Sequence, residues 1–255
     1  IRMLLGIGIP AEEKPFSIGA RIEHEATFIN NCQYGREDDY TRNLLGNSEY
    51  HLTYKGEKGV YSFCMCPGGL VVPSNSFPGE VVTNGMSYAS RAAKLSNSAL
   101  VATVGEGDYG STPEEALAFQ ELIERKAYAV SGSYKAIGQN CRDFIEGTAS
   151  TEVTAGFKPS YRPGIILGNL EEILPPQVCR ELKNGLLDFD RKLPGFIDKG
   201  FLTGPETRTS SPVRILRDEK ARVLGYNNLY AIGEGAGYAG GIVSSAIDGL
   251  RLAAE

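Results

Sequence analysis

The sequence predicts an α+β fold: a mixed or antiparallel sheet region with helices, then a β-meander and a terminal strand, glycine loop and helix. Three observations predict it. Short apolar or alternating runs, bounded by turn residues, crowd residues 16–104, which is a strand pattern. Two stretches, 112–127 and 175–193, carry apolar residues at three- and four-residue spacing, as packed helices do. Residues 229–251 read as a short apolar run, five glycines and an amphipathic helix.

Taken in order, residues 2–7 are expected to close a helix stopped by Gly8 and Pro10. Phe16, Ile18, Ala20 and Ile22 alternate with Ser17, Gly19, Arg21 and Glu23, predicting a half-buried strand. Residues 36–40 read as a charged loop. Tyr50, Leu52 and Tyr54 alternate with His51 and Thr53, and 56–59 is a turn. Strands are predicted at 60–65, 70–72, 80–84 and 99–104, with Gly68, Gly69 and the Phe77-Pro-Gly79 turn at hairpin-like spacing. Thr112, Pro113 and Glu115 form a capping-box sequence, opening a helix whose packed face is Ala116, Phe119, Ile123 and Ala127. Residues 131–138 read as loop, and Pro163-Gly164 as a turn. Pro175 and Pro176 open the second helix, with Val178, Leu182, Leu186, Phe189 and Leu193 on one face and Pro194-Gly195 as its end. Short strands at 214–216 and 222–224 lead into the terminal motif.

That motif carries the chemistry. Residues 229–232 are expected to form a buried strand. Gly233, Gly235, Gly237, Gly240 and Gly241 let backbone approach a ligand closely because none carries a Cβ. Ile242, Val243, Ala246, Ile247 and Leu250 then share a helical face. The helix start offers free N–H groups and a positive dipole end, suited to a phosphate, a carboxylate or an oxygen gathering negative charge. Glu234 would repel a bare phosphate and is better suited to accepting hydrogen bonds from ribose or ribityl hydroxyls, which points to a dinucleotide or flavin. The competing reading of the glycines is a tight strand-to-helix turn with no ligand.

The segment resembles the C-terminal flavin-binding motif of FAD-dependent dehydrogenases and reductases with a split FAD domain. More of the chain is similar to the bacterial FAD-dependent, or NAD(FAD)-utilising, dehydrogenases. The similar stretches are 14–24 (Lys-Pro-Phe-Ser-Ile-Gly-Ala-Arg-Ile-Glu-His), 33–35, 60–69 (Val-Tyr-Ser-Phe-Cys-Met-Cys-Pro-Gly-Gly), 82–87 and 206–215. The resemblance implies a remnant of the FAD domain at 1–15, an inserted substrate domain at 16–204 and the C-terminal segment of an FAD/NAD(P)-binding domain at 205–255. It implies FAD held by Gly233, Glu234, Gly235, Ala236, Gly240, Gly241, Ile242 and Val243, with NAD(P)H as a candidate electron donor and a small molecule as substrate. An N-terminal strand, Gly-x-Gly-x-x-Gly and helix are also implied. Gly6-Ile-Gly8 is followed by Ile-Pro-Ala, so that segment is expected as a missing partner and the chain as a fragment.

Composition bounds the alternatives. The 255 residues, 42% hydrophobic, suffice for one large or two smaller cores. Net charge is −5 with no basic run, which disfavours nucleic acid. No apolar stretch approaches the roughly 18 residues of a membrane helix. Five cysteines without framework spacing suggest a reducing cytoplasm. The absence of Cys-x-x-Cys pairs and His clusters disfavours a metal.

Cys64 and Cys66 are candidate catalytic residues, in a redox or substrate-contact role resting on the resemblance around Pro67-Gly68-Gly69. On a regular strand their Cα atoms would lie about 6.6 Å apart, near the upper end of disulfide geometry. The structural alternative is a pair of small buried hydrophobes. Arg208 could clamp a carboxylate or phosphate, with Thr209 and Ser210 as donors, or the segment is a solvated connector. His24 is an acid/base candidate or a structural strand-end residue; His51 is expected at the surface. Arg21 and Arg91 read as surface charges or anion contacts. Two other functions remain open: a non-catalytic ligand- or partner-binding module with a structural glycine loop, and a nucleotide-dependent transferase, which would want the lysine that 233–242 lacks.

Overall fold

In a computed structural model that describes residues 1–36 and 38–253, α1 (Arg2–Gly6), β1 (Ala11–Glu13), β2 (Phe16–Glu25), α2 (Ala26–Tyr34) and α3 (Asp39–Leu45) come first. Then follow β3 (Thr53–Tyr54), β4 (Val60–Cys66), β5 (Gly69–Pro73), β6 (Thr83–Ser87), β7 (Leu95–Val104), α4 (Glu106–Tyr109) and α5 (Pro113–Ser131). The remainder is β8 (Ala136–Asn140), α6 (Cys141–Glu146), β9 (Ile165–Leu167), α7 (Pro176–Lys192), β10 (Phe201–Glu206), β11 (Val213–Ile215) and α8 (Ile242–Ala253). The fold is α+β, as predicted. Two compact units divide at 17/18, 103/104, 121/122 and 207/208: the larger is Ile18–Thr103 with Leu122–Thr207, and the smaller holds the rest. The sequence reading drew its lines at 15/16 and 204/205.

The larger unit is built on a seven-stranded sheet in the order β3-β4-β7-β2-β10-β8-β9. β3–β4, β4–β7, β2–β10 and β10–β8 are antiparallel, and β8–β9 is parallel. β2 is not half-buried as its alternation suggested. Every residue from Phe16 to His24 is buried, Arg21, Glu23 and His24 among them, because the strand lies in mid-sheet. At Gly19 a Cβ would stand 2.0 Å from the Leu100 carbonyl oxygen, so only glycine lets the backbone of β2 come this close to β7. The stripe of α7 is buried as predicted, each fully buried Leu or Phe contributing about 1.5–3 kcal/mol. Pro176 occupies an N-terminal position of α7.

Several local expectations change. The loop expected at 131–138 gives way at Ala136 to a buried strand, β8, whose polar side chains find partners: Gln139 Nε2 donates to the Thr148 carbonyl at 2.7 Å, and Asn140 Nδ2 to the Glu152 carbonyl at 2.8 Å. β10 was missed because Gly204 and Pro205 punctuate it. Proline is tolerated where the register against β2 shifts, between Thr203 and Glu206. Within 36–40, Glu37 lies outside the described residues, while Asp38 caps α3 through a 2.7 Å bond from Thr41 N–H. Gly68-Gly69 does not turn a hairpin: β4 pairs with β7, whereas β5 pairs with β6, which begins at Thr83 rather than residue 80.

In the smaller unit β1 and β11 pair antiparallel. Ile9, Leu117, Val213, Ile215, Val223, Ala231 and Ala236 form its core. Residues 104–121 belong here. Tyr109 stacks on Phe16 with ring centroids 5.5 Å apart and its hydroxyl donates to Glu13. The capping box forms: Glu115 N–H donates to Thr112 Oγ1 at 3.3 Å, and Thr112 N–H to Glu115 Oε2 at 3.0 Å. Residues 222–224 and 229–232 form isolated bridges, Arg217–Val223 and Arg222–Tyr230, rather than strands. The expected buried strand at 229–232 is absent as such, with Tyr230 and Ile232 exposed. The backbone of this segment is bonded to residues 221–223, through Val223 N–H to the Leu229 carbonyl at 2.9 Å and Ala231 N–H to the Ala221 carbonyl at 3.0 Å, and Ala231 is its buried residue.

Candidate functional site

The glycine loop of the smaller unit folds as a tight turn. Gly237 N–H donates to the Glu234 carbonyl at 2.8 Å, and Tyr238 N–H to the Gly233 carbonyl at 3.0 Å. Gly233 and Gly237 have φ of +77° and +88°, where a side chain is strained. A Cβ on Gly237 would also stand 2.6 Å from the Val213 carbonyl oxygen. These two glycines and buried Ala236 serve the turn and its seat on β11.

Gly235, Gly240 and Gly241 differ. A Cβ on either of the first two meets nothing within 4 Å, and on Gly241 only Ser244 Oγ at 3.9 Å. The start of α8 is open as well, Ile242 being 90% and Val243 72% exposed. Glu234 is partly buried, and its charge acts on Lys14, whose pKa is lowered by burial and then by Arg214. An open 12-residue helix start, three unobstructed glycines and a nearby carboxylate can receive an electron-rich oxygen at the amides and sugar-type hydroxyls at the acid. That donor set suits a dinucleotide or flavin.

A strap missed in the sequence holds the loop. Arg217 donates to Asp248 at 2.7 and 2.8 Å, and the same carboxylate accepts the Gly233 N–H at 2.8 Å. Arg217 also donates to the Ala231 carbonyl and lies 3.6 Å over the Tyr238 ring. The Arg217 hydrogen bonds hold the Asp248 carboxyl below its ordinary range. Asp248 was the available signal, as the one acid within 242–250. The predicted apolar stripe of α8 is not packed: Ile242, Val243, Ile247 and Leu250 are all exposed. The helix instead turns Ser245 and Asp248 toward Gly233.

Thr209 is buried. Its hydroxyl donates to the Ser17 carbonyl at 2.7 Å and accepts the Ser17 N–H at 3.2 Å. Arg208 is partly buried.

The larger unit brings Cys64 and Cys66 together around Arg21, which is fully buried rather than at the surface. Its guanidinium pairs with Glu206, donating to Oε1 at 2.8 Å. It donates further to Asn84 Oδ1 at 2.8 Å, Asn97 Oδ1 at 3.3 Å and the Cys64 carbonyl at 2.9 Å. Gly85 makes room, since a Cβ there would stand 2.5 Å from Arg21 Nη1. Against the expected regular strand, β4 has a register irregularity between Phe63 and Cys66, and Cys64 takes φ +47°, a conformation costing about 1 kcal/mol for a side chain. Cys66 Sγ donates to the Cys64 carbonyl at 3.3 Å. Cys64 is exposed and Cys66 buried. The neighbouring Cys66 thiol and then the Arg21 charge lower the Cys64 pKa, while the Cys64 thiol and burial raise that of Cys66.

His24 is wholly buried between Phe28 and Phe196, with Nε2 2.8 Å from the Phe196 carbonyl. Burial lowers its pKa to about 4. It sits in the core near the end of β2, in keeping with the structural strand-end reading. His51 is exposed, and Arg91 pairs with Glu49. Among the described residues no helix is long and apolar enough to cross a membrane.

A family model described as FAD-dependent protein, C-terminal domain-like, matches residues 15–209. An uncharacterized protein of Clostridium beijerinckii (strain ATCC 51743 / NCIMB 8052) is 44% identical over 257 residues, which cover 98% of this chain and 48% of the relative. The chain thus spans about half the length of the curated relative it matches.

Proposed function

This chain belongs to the family of FAD-dependent proteins with the C-terminal domain-like region, and from that premise we propose that it is part of an FAD-dependent oxidoreductase, a dehydrogenase acting on a small molecule, whose flavin is held at the glycine loop. The observation that carries the reading is the unobstructed start of α8 beside Gly235, Gly240 and Gly241. When bound, FAD supplies the hydride chemistry, with NAD(P)H as the electron donor. The chain supplies the rest. The Gly241, Ile242 and Val243 amides, with the helix dipole, stabilise negative charge on a bound oxygen. Glu234 accepts hydrogen bonds from sugar or ribityl hydroxyls, and Gly240 and Gly241 leave room for a flat ring. The Arg217–Asp248 strap keeps Gly233 in place. The exposed stripe of α8 is the face that the rest of the FAD domain covers, in keeping with the greater length of the relative.

The test is Gly241→Val in the full-length protein. A Cβ at this position meets no backbone, so the variant is expected to fold and to lose visible flavin absorbance. A variant that purifies with a full complement of flavin overturns the assignment. A wild-type protein that never takes up flavin favours a non-catalytic binding module instead.

A further inference from the structure

We propose that Cys64 and Cys66 form a thiol–disulfide exchange pair, Cys64 attacking and Cys66 resolving, with a small organic disulfide as substrate. Four observations in the larger unit converge on it. Cys64 is exposed and Cys66 buried, so a reagent from solution meets Cys64 and Cys66 is left facing its neighbour. Cys66 Sγ donates to the Cys64 carbonyl at 3.3 Å, which folds the buried thiol back onto the residue that carries the exposed one. The backbone irregularity in β4 sets Cys64 at positive φ, the kind of local strain that re-aims a side chain. Finally, the buried Arg21 guanidinium is bonded to the Cys64 carbonyl at 2.9 Å, placing a fixed positive charge behind the sulfur. Cation and neighbouring thiol both favour thiolate at Cys64, and thiolate is the nucleophile in exchange.

The steps balance. The Cys64 thiolate attacks one sulfur of R–S–S–R, whose S–S bond breaks; a Cys64–S–S–R bond forms and RS⁻ departs. The Cys66 sulfur then attacks the Cys64 sulfur. The Cys64–Cys66 disulfide forms, the second RS⁻ leaves, and it takes the proton Cys66 gives up. The dithiol is oxidised by two electrons and the substrate is reduced to two thiols. No flavin takes part in these steps, so the proposal stands apart from the function proposed above.

The test uses the reduced full-length protein, oxidised glutathione at neutral pH, and intact-mass and peptide mapping. The wild type is expected to lose two hydrogens, gain a Cys64–Cys66 crosslink and release two equivalents of glutathione. Cys66→Ser is expected to stop with one glutathione on Cys64, and Cys64→Ser to form neither product. A wild type that stops at the mixed disulfide, or reacts equally well in Cys64→Ser, overturns the proposal. Should a serine variant fail to fold, alkylation of the wild type decides. Cys64 is expected to react at least about tenfold faster than the partly buried Cys32, and equal rates overturn the assignment.

Discussion

Replacing Arg21 with Met removes one side of an ion pair whose side chains are 0% and 3% exposed. The methionine fills most of the space but leaves the Glu206 carboxylate without its partner, and takes the guanidinium donor from Asn84, Asn97 and the Cys64 carbonyl. Breaking a buried pair from one side costs about 3–5 kcal/mol. With essentially no solvent screening at this site, the expected loss is about 4 kcal/mol, a large share of the roughly 5–15 kcal/mol that holds a domain folded. Arg21→Met combined with Glu206→Leu removes both charges and is expected to recover at least half of the loss, because the remaining cost is that of neutral groups. Urea unfolding followed by far-ultraviolet circular dichroism, with hydrogen exchange in β2 and β10 to locate the transition in the larger unit, provides the comparison. A single variant that loses less than about 1 kcal/mol, or a double variant no more stable than the single, would refute the account of Arg21 as a buried charge sustained by Glu206.

Gly19→Ala is expected to cost about 3 kcal/mol or more, since its Cβ would meet the Leu100 carbonyl oxygen at 2.0 Å; an unchanged melting temperature would contradict this. Thr112→Ala removes the cap of α5 and should cost about 1 kcal/mol, measurable as earlier thermal unfolding. Glu23 and His24 predict opposed pH slopes. Burial raises the Glu23 carboxyl from 4.5 to about 7, so its contribution is present below pH 4.5 and is lost as pH rises through 7. Burial lowers His24 from 6.5 to about 4, so its contribution is present above pH 6.5 and is lost as pH falls through 4. Glu23→Gln should expose the histidine slope, with stability falling by about 3 kcal/mol from pH 7 to pH 4; a level profile for that variant counts against a neutral buried His24.

Periodicity and end signals were enough for the long helices. The stripe of α7 and the capping box of α5 are local patterns, and in α7 the apolar face is the one that is buried. The glycine loop and the helix after it were legible for the same reason, because glycines and a following apolar run act over a few residues. The position of β2 in mid-sheet was not legible: alternation says that one face is buried, and only pairing on both edges with cover on both faces buries Arg21, Glu23 and His24 too. Nor could local rules find β8 and β10, where Gly138, Gln139, Gly204 and Pro205 are poor strand formers. Their cost is met by partners distant in the chain, such as the Leu170 N–H donating to Gln139 Oε1 at 2.8 Å.

At the sites the division is the same. Sequence supplied the candidates: two thiols two apart, and an acid within a run of glycines. Tertiary structure decided the surroundings of each. It turned the β4 backbone at Cys64 so that the Cys66 thiol donates to the Cys64 carbonyl, set an arginine on that same carbonyl, tied Thr209 to backbone, and left the start of α8 open. The physical reason is that burial and charge at a side chain are set by groups far off in sequence, whereas propensity and turn chemistry are set by its neighbours.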